Sequence, residues 1–242
     1  MGLVKGGFST YGQVAGIIVL ESPVPRIPGD LGHAATFDFP VRYGVPEGFP
    51  FSDLIAGNPA RLDSVIKTAQ ALERSGVRFV ACDCGFFSVF HGEISRALTV
   101  PFLSSSLMLI PLIERTLPPG QRVGIITGHS GLLKPHHLAP VGADLGRVAV
   151  EGMEDGPEFC RVVIDRAQDL DPGGMRADTL AAGRRLLERN PDVGAVVLEC
   201  TNLITFRADL QKALRRPVFD MLSLVDLMAA GFRHRTFAAE FA

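Results

Sequence analysis

The sequence predicts an α/β fold of two pseudo-symmetric lobes, each a parallel sheet flanked by helices, with the active site between the lobes. Three observations predict it. Short β-branched apolar runs alternate with helical stripes along the whole chain, the pattern of parallel sheets with crossover helices. The pattern restarts halfway: Gln121-Arg122-Val123-Gly124-Ile125-Ile126 echoes Gln13-Val14-Ala15-Gly16-Ile17-Ile18. Two cysteine-bearing runs also look like copies. Val77 and Val193, Cys84 and Cys200, and Pro101 and Pro217 each stand 116 residues apart (200−84 for the cysteines). The offset at the glycines is 108 (124−16), so the second half carries a net insertion of 8 residues (116−108).

Each element has its own warrant. Gln13 to Leu20 reads as the first buried strand, and its end, Glu21-Ser22-Pro23, opens a Pro/Gly-rich loop through His33. Loops that follow strands in parallel sheets face the ligand crevice, so this loop is a candidate site wall or else a surface excursion. Thr36 to Asn58 has no clear periodicity and is expected to be irregular. Pro59 to Arg74 carries a helical stripe (Leu62, Val65, Ile66, Ala69, Leu72), with Asn58-Pro59 as its start signal and Gly76 as its stop. Val77 to Cys82 is the next strand, Phe86 to Leu98 a helix, Val100 to Leu103 a short strand and Leu107 to Leu117 a helix. In the second half, strands are expected at 121–126, 147–150, 193–198 and 217–219. Helices are expected at 132–138, 157–168, 177–189, 203–214 and 222–232. The lobes are assigned as 1–103 plus 217–242, and 104–216.

Composition narrows the function. The chain has 242 residues, 47% hydrophobic and 21% charged, ordinary values for a globular protein. Its net charge of −2, with no long run of one sign, gives no electrostatic case for nucleic acid or an anionic membrane. No stretch reaches the ~20 apolar residues of a membrane span. Met1-Gly2-Leu3-Val4-Lys5-Gly6-Gly7 lacks a basic region followed by an apolar one, so the expected location is the cytoplasm. Four cysteines do not make a disulfide scaffold, and none is spaced as a structural zinc ligand, so no metal is expected.

Cys84 and Cys200 differ from the other two cysteines by position. Each stands where a strand hands over to a helix, where backbone N–H groups and the helix dipole favour a thiolate and offer donors to a substrate carboxylate. Cys82, inside a strand, and Cys160, on an apolar helical face, read as core residues. His129, His136 and His137 read as structural, with a proton relay as the alternative. A surface role is the expectation for Arg26, and pairing with a carboxylate the alternative.

The paired strand-tip cysteines, the Leu198-Glu199-Cys200-Thr201-Asn202-Leu203 segment and the duplicated layout resemble the aspartate/glutamate racemase superfamily, over nearly the whole chain. That superfamily includes amino-acid and hydantoin racemases, maleate isomerases and arylmalonate decarboxylases. Pro28-Gly29-Asp30-Leu31-Gly32 with Thr36-Phe37 resembles an uncharacterised branch of it. The resemblance implies that Cys84 and Cys200 form an acid/base pair working without cofactor or metal. It also implies that Gly85, Phe86, Thr201, Asn202, Thr127 and Gly128 line a carboxylate site. Glu21-Ser22 stands where glutamate racemases have Asp-Ser, and Cys-Thr-Asn where they have Cys-Thr-His. Gly85-Phe86 replaces the Asn-Thr that usually follows the first cysteine of amino-acid racemases, which removes two polar groups; Phe86, Phe87 and Phe90 line either a less polar pocket or a helix core. The expectation is a racemase of an amino acid or related compound acting through two cysteines on a small carboxylate-bearing substrate, with a homodimer left open. An arylmalonate-type decarboxylase, a maleate-type cis–trans isomerase and a non-catalytic two-lobed binder are the alternatives.

Overall fold

A computed structural model describes residue 3 and residues 6–233; the remaining residues, at the two ends of the expected first lobe, lie outside the described residues. Among the described residues, eight strands form two four-stranded parallel sheets. In the first, β1 (Ala15–Ile18), β2 (Val41–Gly44), β3 (Phe79–Cys82) and β4 (Phe102–Leu103) lie in the order β2-β1-β3-β4. In the second, β5 (Arg122–Thr127), β6 (Ala149–Gly152), β7 (Val193–Leu198) and β8 (Val218–Phe219) lie in the order β6-β5-β7-β8.

The registers repeat as the sequence does. Gly16 pairs with Val80 and Gly124 with Val196; Val80 pairs with Phe102 and Val196 with Val218. These partners keep the 116-residue offset (196−80 and 218−102). Gly16 also pairs with Arg42 and Gly124 with Ala149, an offset of 107 (149−42), so the added residues fall between β6 and β7. A Cβ at Gly16 would lie 2.9 Å from the Leu72 Cβ, and one at Gly124 would lie 2.8 Å from Leu186. Glycine at this repeated position lets the helices Leu62–Arg74 and Pro172–Arg189 approach their sheets.

Alternation along the central strands of the second sheet separates two cores. Val123 and Ile125 of β5, with Ala195 and Val197 of β7, join the large cluster formed with the first sheet. Ile126, Val196 and Leu198 face a second cluster that includes Phe159, Met175, Leu186 and Leu210. The lobes therefore share packed side chains.

Three expectations change. Val41–Gly44 is a strand and Phe51–Ala56 a helix inside the region expected to be irregular. β2 is a partly exposed edge strand, so it lacks the buried run that marked the others. The boundary at residue 217 is also corrected: Val218–Phe219 hydrogen-bonds to β7 and belongs to the second sheet. The last helix, Met221–Ala230, does return to the core shared with the first lobe, and Phe232 stacks on Phe79. Finally, the helix expected over 157–168 is a single turn, Pro157–Phe159, followed by a π turn, Cys160–Ile164. No described helix is long and apolar enough to cross a membrane.

Candidate active site

β3 and β7 each deliver a cysteine two residues past the strand end. Cys84 and Cys200 are both extended, and each precedes a six-residue 3-10 turn, Gly85–Phe90 and Thr201–Phe206. The two cysteines pair with each other as an isolated antiparallel bridge where the lobes meet. Neighbouring contacts fix that junction. The Thr201 hydroxyl donates to the Asp83 carbonyl, and the Ser106 hydroxyl donates to the Leu198 carbonyl at 2.7 Å. Gly85 lies against Glu199, where a Cβ would come within 2.6 Å of the Glu199 carbonyl oxygen.

The thiols are half-buried, and their electrostatics depart from the expected thiolate. The N–H groups of Phe86 and Asn202 do reach the sulfurs of Cys84 and Cys200 and favour ionisation. Burial outweighs them, and the Glu199 carboxyl adds to burial at both sulfurs. Both thiol pKa values are pushed well above the usual cysteine range. In the resting protein both sulfurs carry their protons at neutral pH.

A buried polar network surrounds the pair. The Cys200 thiol points at Asn202 Oδ1 (3.5 Å), and Asn202 Nδ2 donates to Asp30 Oδ2 (2.8 Å). Arg26 donates to Asp30 and to Asp83, each at 2.7 Å, and the Leu20 N–H donates to Asp83. The Pro/Gly-rich loop is thus a wall of the site that reaches the second lobe. Arg26 is mostly buried between two carboxylates, not on the surface. The Tyr43 hydroxyl on β2 is buried without a hydrogen-bond partner; burial and then Asp30 push its pKa up to about 12. The sequence reading missed Tyr43 together with its strand. A crevice between Asp30, Asn202, Val162 and Phe206 has about 10 Å³ of room, about enough for one water.

The remaining candidates fall into two groups. Thr127 is fully buried and donates to Glu199 at 2.8 Å, and the Gly128 N–H also serves that carboxyl. Glu21 and Ser22 stand at the loop entrance, where Arg166 donates to the Glu21 carbonyl and Ser22 accepts from the Val24 N–H. Phe86 offers the site only its N–H. Its ring packs edge-on against Phe51 and His137, so of the two readings of these phenylalanines the core one holds. His137 is buried and bonded to Lys134 N and Leu54 O, His129 caps its own turn, and His136 reaches the Ile55 carbonyl. Cys82 is buried in β3, and Cys160 is bonded to the Glu154 carbonyl.

Two parallel α/β sheets whose strand tips bring a repeat-related cysteine pair together define a duplicated, two-lobed enzyme class. The chain belongs to the Asp/Glu/hydantoin racemase family, whose profile matches residues 41–230. Among curated proteins it is similar to a dimethylsulfoniopropionate lyase of Durusdinium sp. clade D, 27% identical over 90% of this chain and 74% of the relative. It is similar also to dimethylsulfoniopropionate lyase 3 of Emiliania huxleyi, 27% identical over 89% of this chain; there the chain spans 58% of the relative's length. The fold matches unliganded arylmalonate decarboxylase at a TM-score of 0.55, with 15% identity, covering 95% of this chain and 96% of that one. It matches allantoin racemase from Pseudomonas fluorescens at a TM-score of 0.58, with 12% identity and 90% of each chain covered.

Proposed function

We propose that the protein is a cofactor-independent enzyme that moves a proton at the carbon next to a carboxylate, with Cys84 and Cys200 as its acid/base pair. The pairing of the two cysteines at the lobe junction carries this reading. One sulfur, once ionised, takes the α-proton and becomes a thiol, and the electron pair left on carbon spreads into the carboxylate. Backbone N–H groups after each cysteine reach the sulfurs and favour the thiolate that takes the proton. Proton transfer by such a group contributes ~10²–10⁴-fold.

The carbanion then has two outcomes. If the β-carbon bears a leaving group, the electron pair forms a C=C bond and expels it, which is a lyase reaction. Both curated relatives named above are lyases, and dimethylsulfoniopropionate has an α-proton and a sulfonium leaving group one carbon further on. Elimination is therefore our first reading. If no group leaves, the opposite thiol donates its proton to the other face and becomes the thiolate, which inverts the centre. The second cysteine favours this racemase reading, because elimination needs only one base.

The test is incubation in D2O with dimethylsulfoniopropionate, amino acids, hydantoins and arylmalonates. Deuterium entry, dimethyl sulfide release, loss of optical activity and CO2 release are followed. Racemisation is expected to fall by ~10²-fold or more in both Cys84→Ser and Cys200→Ser, and elimination in the variant that lacks its base. Full turnover by either variant refutes its cysteine's role, and elimination surviving only in Cys84→Ser or only in Cys200→Ser identifies the base.

A further inference from the structure

The Pro28-Gly29-Asp30 turn of the first lobe is seated on the 3-10 turn that follows Cys200. The Thr205 hydroxyl donates to the Pro28 carbonyl at 2.9 Å. Gly29 has a φ of 111°, and a Cβ there would come within 2.7 Å of the Thr205 Cα. Only glycine meets both demands. The Thr36 hydroxyl closes the turn, accepting from the Gly29 N–H at 2.9 Å and donating to the Asp30 carbonyl at 2.6 Å. This seating brings the Asp30 side chain, 2% exposed, onto Asn202.

Asp30 then decides which way the Asn202 amide faces. One carboxylate oxygen accepts from Arg26 and from the Gly32 N–H, each at 2.7 Å, and the other accepts from Asn202 Nδ2 at 2.8 Å. A carboxylate only accepts, so the amide turns its NH2 group to Asp30 and its oxygen to the Cys200 sulfur. That oxygen, 3.5 Å from the sulfur, holds a thiol proton and disfavours a thiolate. The opposite orientation would offer N–H donors and favour the anion. The first cysteine has no such arrangement. Phe86 stands at the position that matches Asn202 (202−86 is 116), and its ring packs against Phe51 and His137. From that position the Cys84 sulfur receives an N–H and no acceptor.

We propose that Asp30 is a positioning residue of the cysteine pair, fixing the Asn202 amide so that Cys200 rests as the thiol and Cys84 serves as the base. The two cysteines are thus alike in backbone and unlike in chemistry. The Cys84 sulfur, once ionised, takes the α-proton and becomes a thiol. Where the centre inverts, the Cys200 thiol gives its proton to the other face and is left as the thiolate. This rests on the assignment of Cys84 and Cys200 as the acid/base pair.

Infrared spectroscopy tests the positioning without substrate. S–H stretches fall clear of other protein bands and move to lower frequency when the proton is hydrogen-bonded. The two bands are assigned by their loss in Cys84→Ser and Cys200→Ser. In the wild type the Cys200 band is expected below the Cys84 band, and it is expected to rise in both Asp30→Asn and Asn202→Leu. Asn202→Leu keeps the Asp30 charge, so a shift there separates the acceptor from the charge. Coincident bands in the wild type, or a Cys200 band that Asp30→Asn leaves in place, overturn the proposal. Should Asp30→Asn not fold, the wild type still reads the contact: the Asn202 side-chain amide hydrogens, assigned by their loss in Asn202→Leu, are expected to exchange with solvent about tenfold or more slower than those of free asparagine. Exchange at the free rate overturns the proposal. With dimethylsulfoniopropionate, Cys84→Ser is expected to lose elimination by ~10²-fold or more and Cys200→Ser to keep it. The reverse overturns the proposal and leaves the acid/base pair standing. If the bands behave as expected while neither Cys→Ser variant loses activity, the hold of Asp30 and Asn202 on the thiol stands and the acid/base assignment falls.

Discussion

At Glu199, burial prevails over two hydrogen bonds. The Thr127 hydroxyl and the Gly128 N–H both favour the anion, yet the carboxyl pKa is pushed up to about 7; Asp83, even beside Arg26, is pushed up to about 6. The sign of the linkage follows. A carboxyl whose folded-state pKa is raised contributes stability that is fully present below its unfolded value and is lost as pH rises through the folded one. Glutamine has no such proton to lose. The stability of Glu199→Gln relative to wild type is therefore expected to climb between pH ~4 and ~7, by about 3 kcal/mol. Urea denaturation midpoints at a series of pH values measure it, and a pH-independent difference contradicts it. Both carboxyls lie inside the two repeated cysteine-bearing runs. The offset that singled out the cysteines equates Asp83 with Glu199 as well, but only their shared burial reveals why that matters.

Among the elements, legibility tracked burial. β7, buried along its whole length, was predicted with the bounds it has, Val193 to Leu198. β2 was missed because its four residues are partly exposed and flanked by Pro40 and Pro46. The helices after each cysteine were expected to be regular, but each begins as a 3-10 turn, whose bonds close one residue earlier. The repeated glycine in β1 and β5 has a reason the sequence does not state, the close passage of a helix. Gly16→Ala would set its new methyl against Leu72 and is expected to destabilise the fold by ~1–3 kcal/mol. Chemical denaturation reads this directly, and wild-type stability in the variant would show that the helix yields without cost.

Across the whole molecule, one side chain links distant parts of the site. Arg26 ties the first loop to the tip of β3, and through Asp30 and Asn202 to the second lobe. Arg26→Gln leaves two carboxylates buried without their cation, and is expected to cost about 3–5 kcal/mol. The loss should be larger at pH 8 than at pH 5, where protonation relieves part of it. Equal loss at both values would mean that Arg26 acts through packing alone. The duplicated architecture and the cysteine pair could be read from spacing, since both follow from local patterns that recur. The network could not, because Arg26, Asp83 and Asn202 are brought together only when the two sheets close on one another.

The resting charge of the sulfurs has a consequence for the lifetime of the protein. Residues opposed across an antiparallel bridge have Cα atoms roughly 4.5–5.5 Å apart, inside the span a disulfide can bridge. Cys84 and Cys200 are such residues. Oxygen, peroxide and stray disulfides attack through the thiolate, however, and burial, with Glu199 and Asp83 near both sulfurs, keeps that form scarce. The groups that oppose ionisation thereby protect the pair from being oxidised to a cystine.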